Sequence, residues 1–105
     1  MPTLDALYDE AIALKEKGEL DAAVEKLKEI VASDPNHALA HAALSVVYGQ
    51  LNRFDEAVEH GHKVCELEPD DPFSFVALSL ICQKAGMIEE AELASSRART
   101  LEFGM

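Results

Sequence analysis

Apolar positions along this chain fall into short stripes with helical spacing. Leu4, Leu7, Ala11 and Leu14 recur every three or four residues and mark one face of a helix. Beyond Gly18, the set Val24, Leu27, Ile30 and Val31 marks a second helix, with Asp21 as its expected N-terminal cap. Asp34-Pro35 stops that helix, because proline has no amide hydrogen to donate and forces the preceding residue out of the helical region. The same pattern predicts helices over 37–50, 55–67, 72–84 and 89–101. The fifth of these opens on Asp71-Pro72, a capping residue followed by proline in the first turn. Connections this short make consecutive helices antiparallel neighbours.

The helices come in pairs that repeat. Glu19-Leu20-Asp21-Ala22-Ala23-Val24-Glu25 returns 34 residues later as Arg53-Phe54-Asp55-Glu56-Ala57-Val58-Glu59, and again as Met87-Ile88-Glu89-Glu90-Ala91-Glu92-Leu93. The same step joins Gly18, Asn52 and Gly86, all residues that tolerate a left-handed turn. It also joins the small residues Ala11, Ser45 and Ser79, and it carries Pro35 onto Pro69. The expected units are about 4–37, 38–71 and 72–105, stacked as a single domain.

These residues resemble the tetratricopeptide repeat family, whose period is known to be 34 residues. His41-x-x-Leu44-Ser45-x-x-Tyr48 and Phe75-x-x-Leu78-Ser79-x-x-Cys82 fit its sparse signature well, and Leu7-x-x-Glu10-Ala11-x-x-Leu14 fits loosely. Ala23, Ala57 and Ala91 match its small residue at the helix crossing. The resemblance implies an all-α fold: an α-solenoid of three helix-turn-helix repeats forming a short right-handed superhelix. Two departures stand out. Leu27 becomes Gly61 in the second unit, where Phe73 or Phe75 is the expected occupant of the vacated space. In the third unit the stripe Val24, Leu27, Val31 becomes Glu92, Ser95, Arg99, which reads as the solvated cap of a complete short array.

The resemblance also implies that first helices line a concave groove and second helices its convex back. By register, the first unit contributes Tyr8 and Ile12 to the groove, with Asp5, Asp9 and Lys15 beside them. The second contributes Leu39, Ala42, Ala43 and Val46, with Gly49 beside them. The third contributes Phe73, Val76, Ala77 and Leu80, with Gln83 beside them. Most of these residues are apolar or small, so the first helices are apolar nearly all round and expect cover on more than one side. A contiguous apolar patch on a small protein usually marks an interaction site. Some members of the family hold the acidic C-terminal tail of chaperones with a carboxylate clamp of Lys, Arg and Asn. Tyr8, Ile12, Ala43, Phe73 and Ala77 stand at those positions here, and none binds a carboxylate by charge.

Charge narrows the partner. Asp and Glu number 20 against 9 Lys and Arg, for a net charge of −11. Such a field repels phosphate backbones and anionic headgroups, so nucleic acid and membrane surfaces are poor partners. The expected function is a protein–protein interaction module that binds a peptide or amphipathic helix carrying basic residues in an apolar concave groove. The alternative is a self-associating scaffold, a homodimer through the same groove. The opening Met1-Pro2-Thr3-Leu4-Asp5 lacks the basic and apolar regions of a secretory leader, and Cys65 and Cys82 lie in apolar stretches that suit reduced, buried thiols. Both point to the cytoplasm.

Chemistry has little to stand on. His37, His41, His60, His62 and Cys65 gather in the second unit, and the pairs 37/41 and 62/65 each share a helix face. Two loose pairs on different helices fall short of a metal-ligand set, His41 occupies a core position, and His60 and His62 map to the outer surface. Ser95-Ser96 has no neighbouring histidine, and no glycine-rich phosphate loop occurs. No enzyme activity, cofactor or metal is expected.

Overall fold

The computed structural model describes residues 3–104; Met1 and Pro2 of the opening segment, and Met105, lie outside them. The described residues form six α-helices and no strand: α1 (Leu4–Glu16), α2 (Leu20–Ser33), α3 (Ala38–Gln50), α4 (Phe54–Leu67), α5 (Pro72–Lys84) and α6 (Ile88–Phe103). Each helix packs on the next, most extensively within the pairs α1·α2, α3·α4 and α5·α6. First helices meet one another, α1 with α3 and α3 with α5, along narrow strips. The stack measures 46 × 25 × 20 Å.

The turn inside each pair is the same device three times. Gly18, Asn52 and Gly86 have φ of 82°, 62° and 79°. In the first turn the Gly18 amide donates to the Lys15 carbonyl at 3.0 Å and the Glu19 amide to Leu14 at 2.9 Å. The Asn52–Gly49 and Arg53–Tyr48 bonds, and the Gly86–Gln83 and Met87–Cys82 bonds, repeat that pattern. Left-handed backbone at one residue satisfies the last carbonyls of one helix and turns the chain into the next.

Helix starts differ between the two classes of helix. Thr3, His37 and Asp71 cap α1, α3 and α5, with side chains accepting from the amides of Ala6, Ala40 and Phe73. Glu19, Arg53 and Met87 precede α2, α4 and α6 without a side-chain cap. The expectation that Asp21 caps α2 is therefore corrected: Asp21 lies inside the first turn. There its carboxylate faces the positive end of the helix dipole, as do Asp55 and Glu56 in α4 and Glu89 and Glu90 in α6.

The core runs through the middle of the stack. Ala23, Leu27, Ile30, Ala40, Leu44, Val47, Ala57 and Cys82 are fully buried. The small residues sit at the crossings: Ala11 in the first unit, Ser45 and Ser79 in the next two. The serines do more than fit. Ser45 Oγ donates to the Ala57 carbonyl at 2.8 Å and Ser79 Oγ to the Ala91 carbonyl at 2.9 Å, so each ties its first helix to its second at the same register. Among the described residues, no buried side-chain nitrogen or oxygen lacks a hydrogen-bond partner.

Candidate functional site: the face of the first helices

The α3–α5 face carries the largest exposed apolar side chains of the middle of the stack. Leu39 is 62% exposed, Val46 48%, Phe73 74%, Val76 38% and Leu80 56%. Val46 and Leu80 stand 34 residues apart at the same register of neighbouring units. Ile12 occupies that register in the first unit; it and Tyr8 are partly buried and pack against the core.

The structure brings only some of the expected groove residues together. Ala42, Val46, Ala77 and Leu80 rim one concavity of about 290 Å³ between α3 and α5. Its floor is Gly61 and Val64 of α4, with Ser45, Gly49, Ser74 and Ile81 on the walls and Gln50 and Lys84 at one end. Leu39, Phe73 and Val76 lie outside that lining. Ala43 is 8% exposed and belongs to the core, so it offers no groove surface. Gly49 is buried as well: a Cβ there would stand 2.7 Å from Ile81 Cδ1, so the glycine lets α3 and α5 approach.

Gly61 is where the expectation about occupancy fails. Leu78, Ser45 and Ile81 stand nearest the vacated position, 3.2, 3.4 and 3.6 Å from the place of a Cβ. Phe73 points into solvent, and Phe75 packs partly buried with the Arg97 guanidinium 5.9 Å from its ring centre. The phenylalanines are placed by their own helix face: Phe75 shares the register of Leu7 and His41, which turns toward the second helix of its own unit.

The walls offer little to a polar ligand. Ser45 is committed to Ala57, and Ser74 Oγ donates to the carbonyls of Asp71 at 2.7 Å and Glu68 at 3.2 Å. Beneath it the Cys65 thiol donates to the Ser74 carbonyl at 3.4 Å. Burial pushes the Cys65 and Cys82 thiols above their ordinary range, so neither is a ready nucleophile.

The histidine group does not converge. His37 accepts from the Ala40 amide at 3.1 Å as a helix cap. His41 is buried, with Nε2 2.7 Å from the Pro35 carbonyl and Nδ1 2.9 Å from His60 Nδ1. The outer-surface assignment is corrected for His60, which is half-buried, with its ring stacked on both His41 and Tyr48. His62 does stay at the surface, 3.4 Å from Glu90. Among the described residues, no three His, Cys, Asp or Glu side chains are placed to hold one metal ion.

Arg53 spans Tyr48 and Glu56. Its guanidinium lies 4.9 Å from the Tyr48 ring centre and pairs with Glu56 through Nε–Oε1 at 2.8 Å and Nη2–Oε2 at 2.7 Å. No helix among the described residues is long and apolar enough to cross a membrane.

The tetratricopeptide repeat family model matches residues 14–72, more than half of the chain. The chain belongs to the tetratricopeptide repeat family. Among proteins of known sequence it is 33% identical to Protein POLLENLESS 3-LIKE 1 of Arabidopsis thaliana, over 73% of this chain. It spans only 20% of that relative's length. Among solved structures the tetratricopeptide fold of the chain superimposes on a crystal structure of MamA with a TM-score of 0.88 and 24% identity, covering 95% of this chain and 58% of that one. It superimposes on the second TPR domain of Spaghetti (RPAP3), bound to the HSP90 peptide SRMEEVD, with a TM-score of 0.83 and 18% identity, covering 93% and 91%. At these identities the likeness is one of fold.

Proposed function

We propose that this tetratricopeptide domain is a protein–protein interaction module that holds a peptide or amphipathic helix against the face of α3 and α5. The observation that carries the reading is the run of exposed Leu39, Val46, Phe73, Val76 and Leu80 on helices whose other faces are already packed. Leaving such a patch in water is unfavourable, and patches of this kind on small proteins are usually covered by a partner. A related fold with a peptide in hand, the Spaghetti domain, supports a peptide as ligand.

The ligand chemistry differs from that neighbour's. SRMEEVD is acidic, whereas this chain has a net charge of −11, and the residues that the family resemblance sets at the clamp positions, Tyr8, Ile12, Ala43, Phe73 and Ala77, carry no positive charge. Long-range attraction favours a basic partner, and apolar anchors supply the contact.

The test is capture of a lysine-rich amphipathic peptide by the intact chain and by the double variant Val46→Glu, Leu80→Glu. The reading predicts loss of capture with helical content unchanged by circular dichroism. Undiminished capture by the variant contradicts it. Sedimentation at several concentrations addresses the other occupant: a tight dimer that dissociates on the same substitutions identifies a second copy of this chain instead.

A further inference from the structure

The concavity between α3 and α5 marks a difference between otherwise matched units. In the first unit, Leu27 is fully buried where its helix meets the next unit. In the second unit that register holds Gly61, which lines the concavity instead of filling it. Leu78, Ser45 and Ile81 close on the Cβ position itself, and about 290 Å³ stays open beside them toward the first-helix face. That is below the usual range for a small-molecule site, so it suits one large side chain and not a whole ligand.

We propose that this concavity is an anchor pocket for a single large aliphatic or aromatic side chain presented by a cationic amphipathic helix. The proposal rests on the docking reading above and adds where the partner's main anchor goes. Three features support it. Apart from Gln50 and Lys84 at one end, the contact surface is built mainly from Ala42, Val46, Val64, Ala77, Leu80 and Ile81, which have nothing to offer a polar group. The hydroxyls on its wall already donate to backbone carbonyls. The charge of −11 attracts a cation-bearing partner and sets two copies of this chain against each other. Lys84 stands at one end of the mouth, so partner cations are placed away from it.

The test uses a labelled lysine-rich helical peptide, about 16 residues long so that helix is accessible. Its apolar face is alanine except for one central leucine. A second peptide has alanine at that centre, and a third has glutamate in place of every lysine. Fluorescence anisotropy with the intact chain is expected to favour the leucine peptide about tenfold or more, the equivalent of burying one such side chain. The glutamate peptide is expected not to bind. Ala77→Leu plugs the mouth from an exposed helical position and is expected to erase the leucine preference without lowering the melting temperature. Should that variant fail to fold, Ala42→Leu plugs the same mouth from α3. Equal binding of the leucine and alanine peptides, still lost on Val46→Glu, overturns the anchor and leaves the docking surface standing. Binding that survives both Val46→Glu and Leu80→Glu, or no binding of any peptide, overturns the surface as well. A dimer dissolved by Ala77→Leu makes a second copy the occupant and overturns the cationic helix.

Discussion

His41 Nδ1 lies 2.9 Å from His60 Nδ1, and the proton between them has one owner. His41 Nε2 faces the Pro35 carbonyl at 2.7 Å and must donate to it, so neutral His41 accepts at Nδ1 and His60 donates. The pair fastens the connection before α3 to α4, and His60 stacks on Tyr48 behind it.

Acid should loosen this unit. Burial first, and then the neighbouring His41, hold the His60 imidazole below its ordinary range, with Glu59 and Glu56 acting in the opposite direction. A histidine whose folded pKa is depressed takes up its proton more readily when unfolded. Its stabilisation is complete above the unfolded value of about 6.5 and is lost as pH falls through that value toward the folded one. Half-exposure screens the effect, so the change is modest. The melting temperature should drop between pH 7.5 and 5.5, and His60→Gln should flatten that drop. An equal drop in the variant contradicts the assignment.

The serine ties at the two later crossings should be measurable. Ser79→Ala removes the buried Ser79–Ala91 bond and Ser45→Ala the Ser45–Ala57 bond. Each should cost about 1 kcal/mol in denaturant unfolding, the net worth of one such bond. The first unit has Ala11 at this register, so Ala11→Ser tests whether the tie can be transplanted. A gain in stability there is the expected result.

The two helical glycines should respond differently to alanine. A Cβ at Gly61 meets Leu78 Cδ1 at 3.2 Å, a gap that a shift of a few tenths of an ångström in that methyl relieves. Gly61→Ala should therefore keep part of the helix-propensity gain of about 1 kcal/mol. A Cβ at Gly49 meets Ile81 Cδ1 at 2.7 Å, inside contact distance, so Gly49→Ala should melt below Gly61→Ala. The reverse order contradicts the packing described at the α3–α5 contact.

Salt separates attraction from contact. A basic peptide drawn by the net charge of −11 should bind more weakly at 0.5 M than at 0.05 M salt, mainly through a slower association rate. An association rate indifferent to salt contradicts the role given to the charge.

The repeat period, the left-handed turns at Gly18, Asn52 and Gly86, and the cap at Asp71 were all readable from residue type, because each depends on backbone requirements that few residues meet. Asp21 misled because aspartate serves equally as a cap and in the first helical turn, and only the backbone decides which. The site was harder to read. Register set Val46 and Leu80 at one level of neighbouring first helices, where both are exposed, yet it could not separate them from Ala43, which is covered by packing. The Gly61 vacancy was visible as a departure from Leu27, but its filling depends on which way Leu78, Ile81 and Phe75 turn. His60 was misplaced because a stack on Tyr48 and His41 has no signature in spacing alone.

The central claim, that the open face of α3 and α5 is where a partner lies, is tested most directly by amide chemical-shift mapping during titration with a lysine-rich amphipathic peptide. The account predicts the largest shifts at Val46, Ala77 and Leu80, with Glu25 and Glu59 on the second helices unmoved. Shifts concentrated on α2 and α4, with Val46 and Leu80 silent, would contradict it.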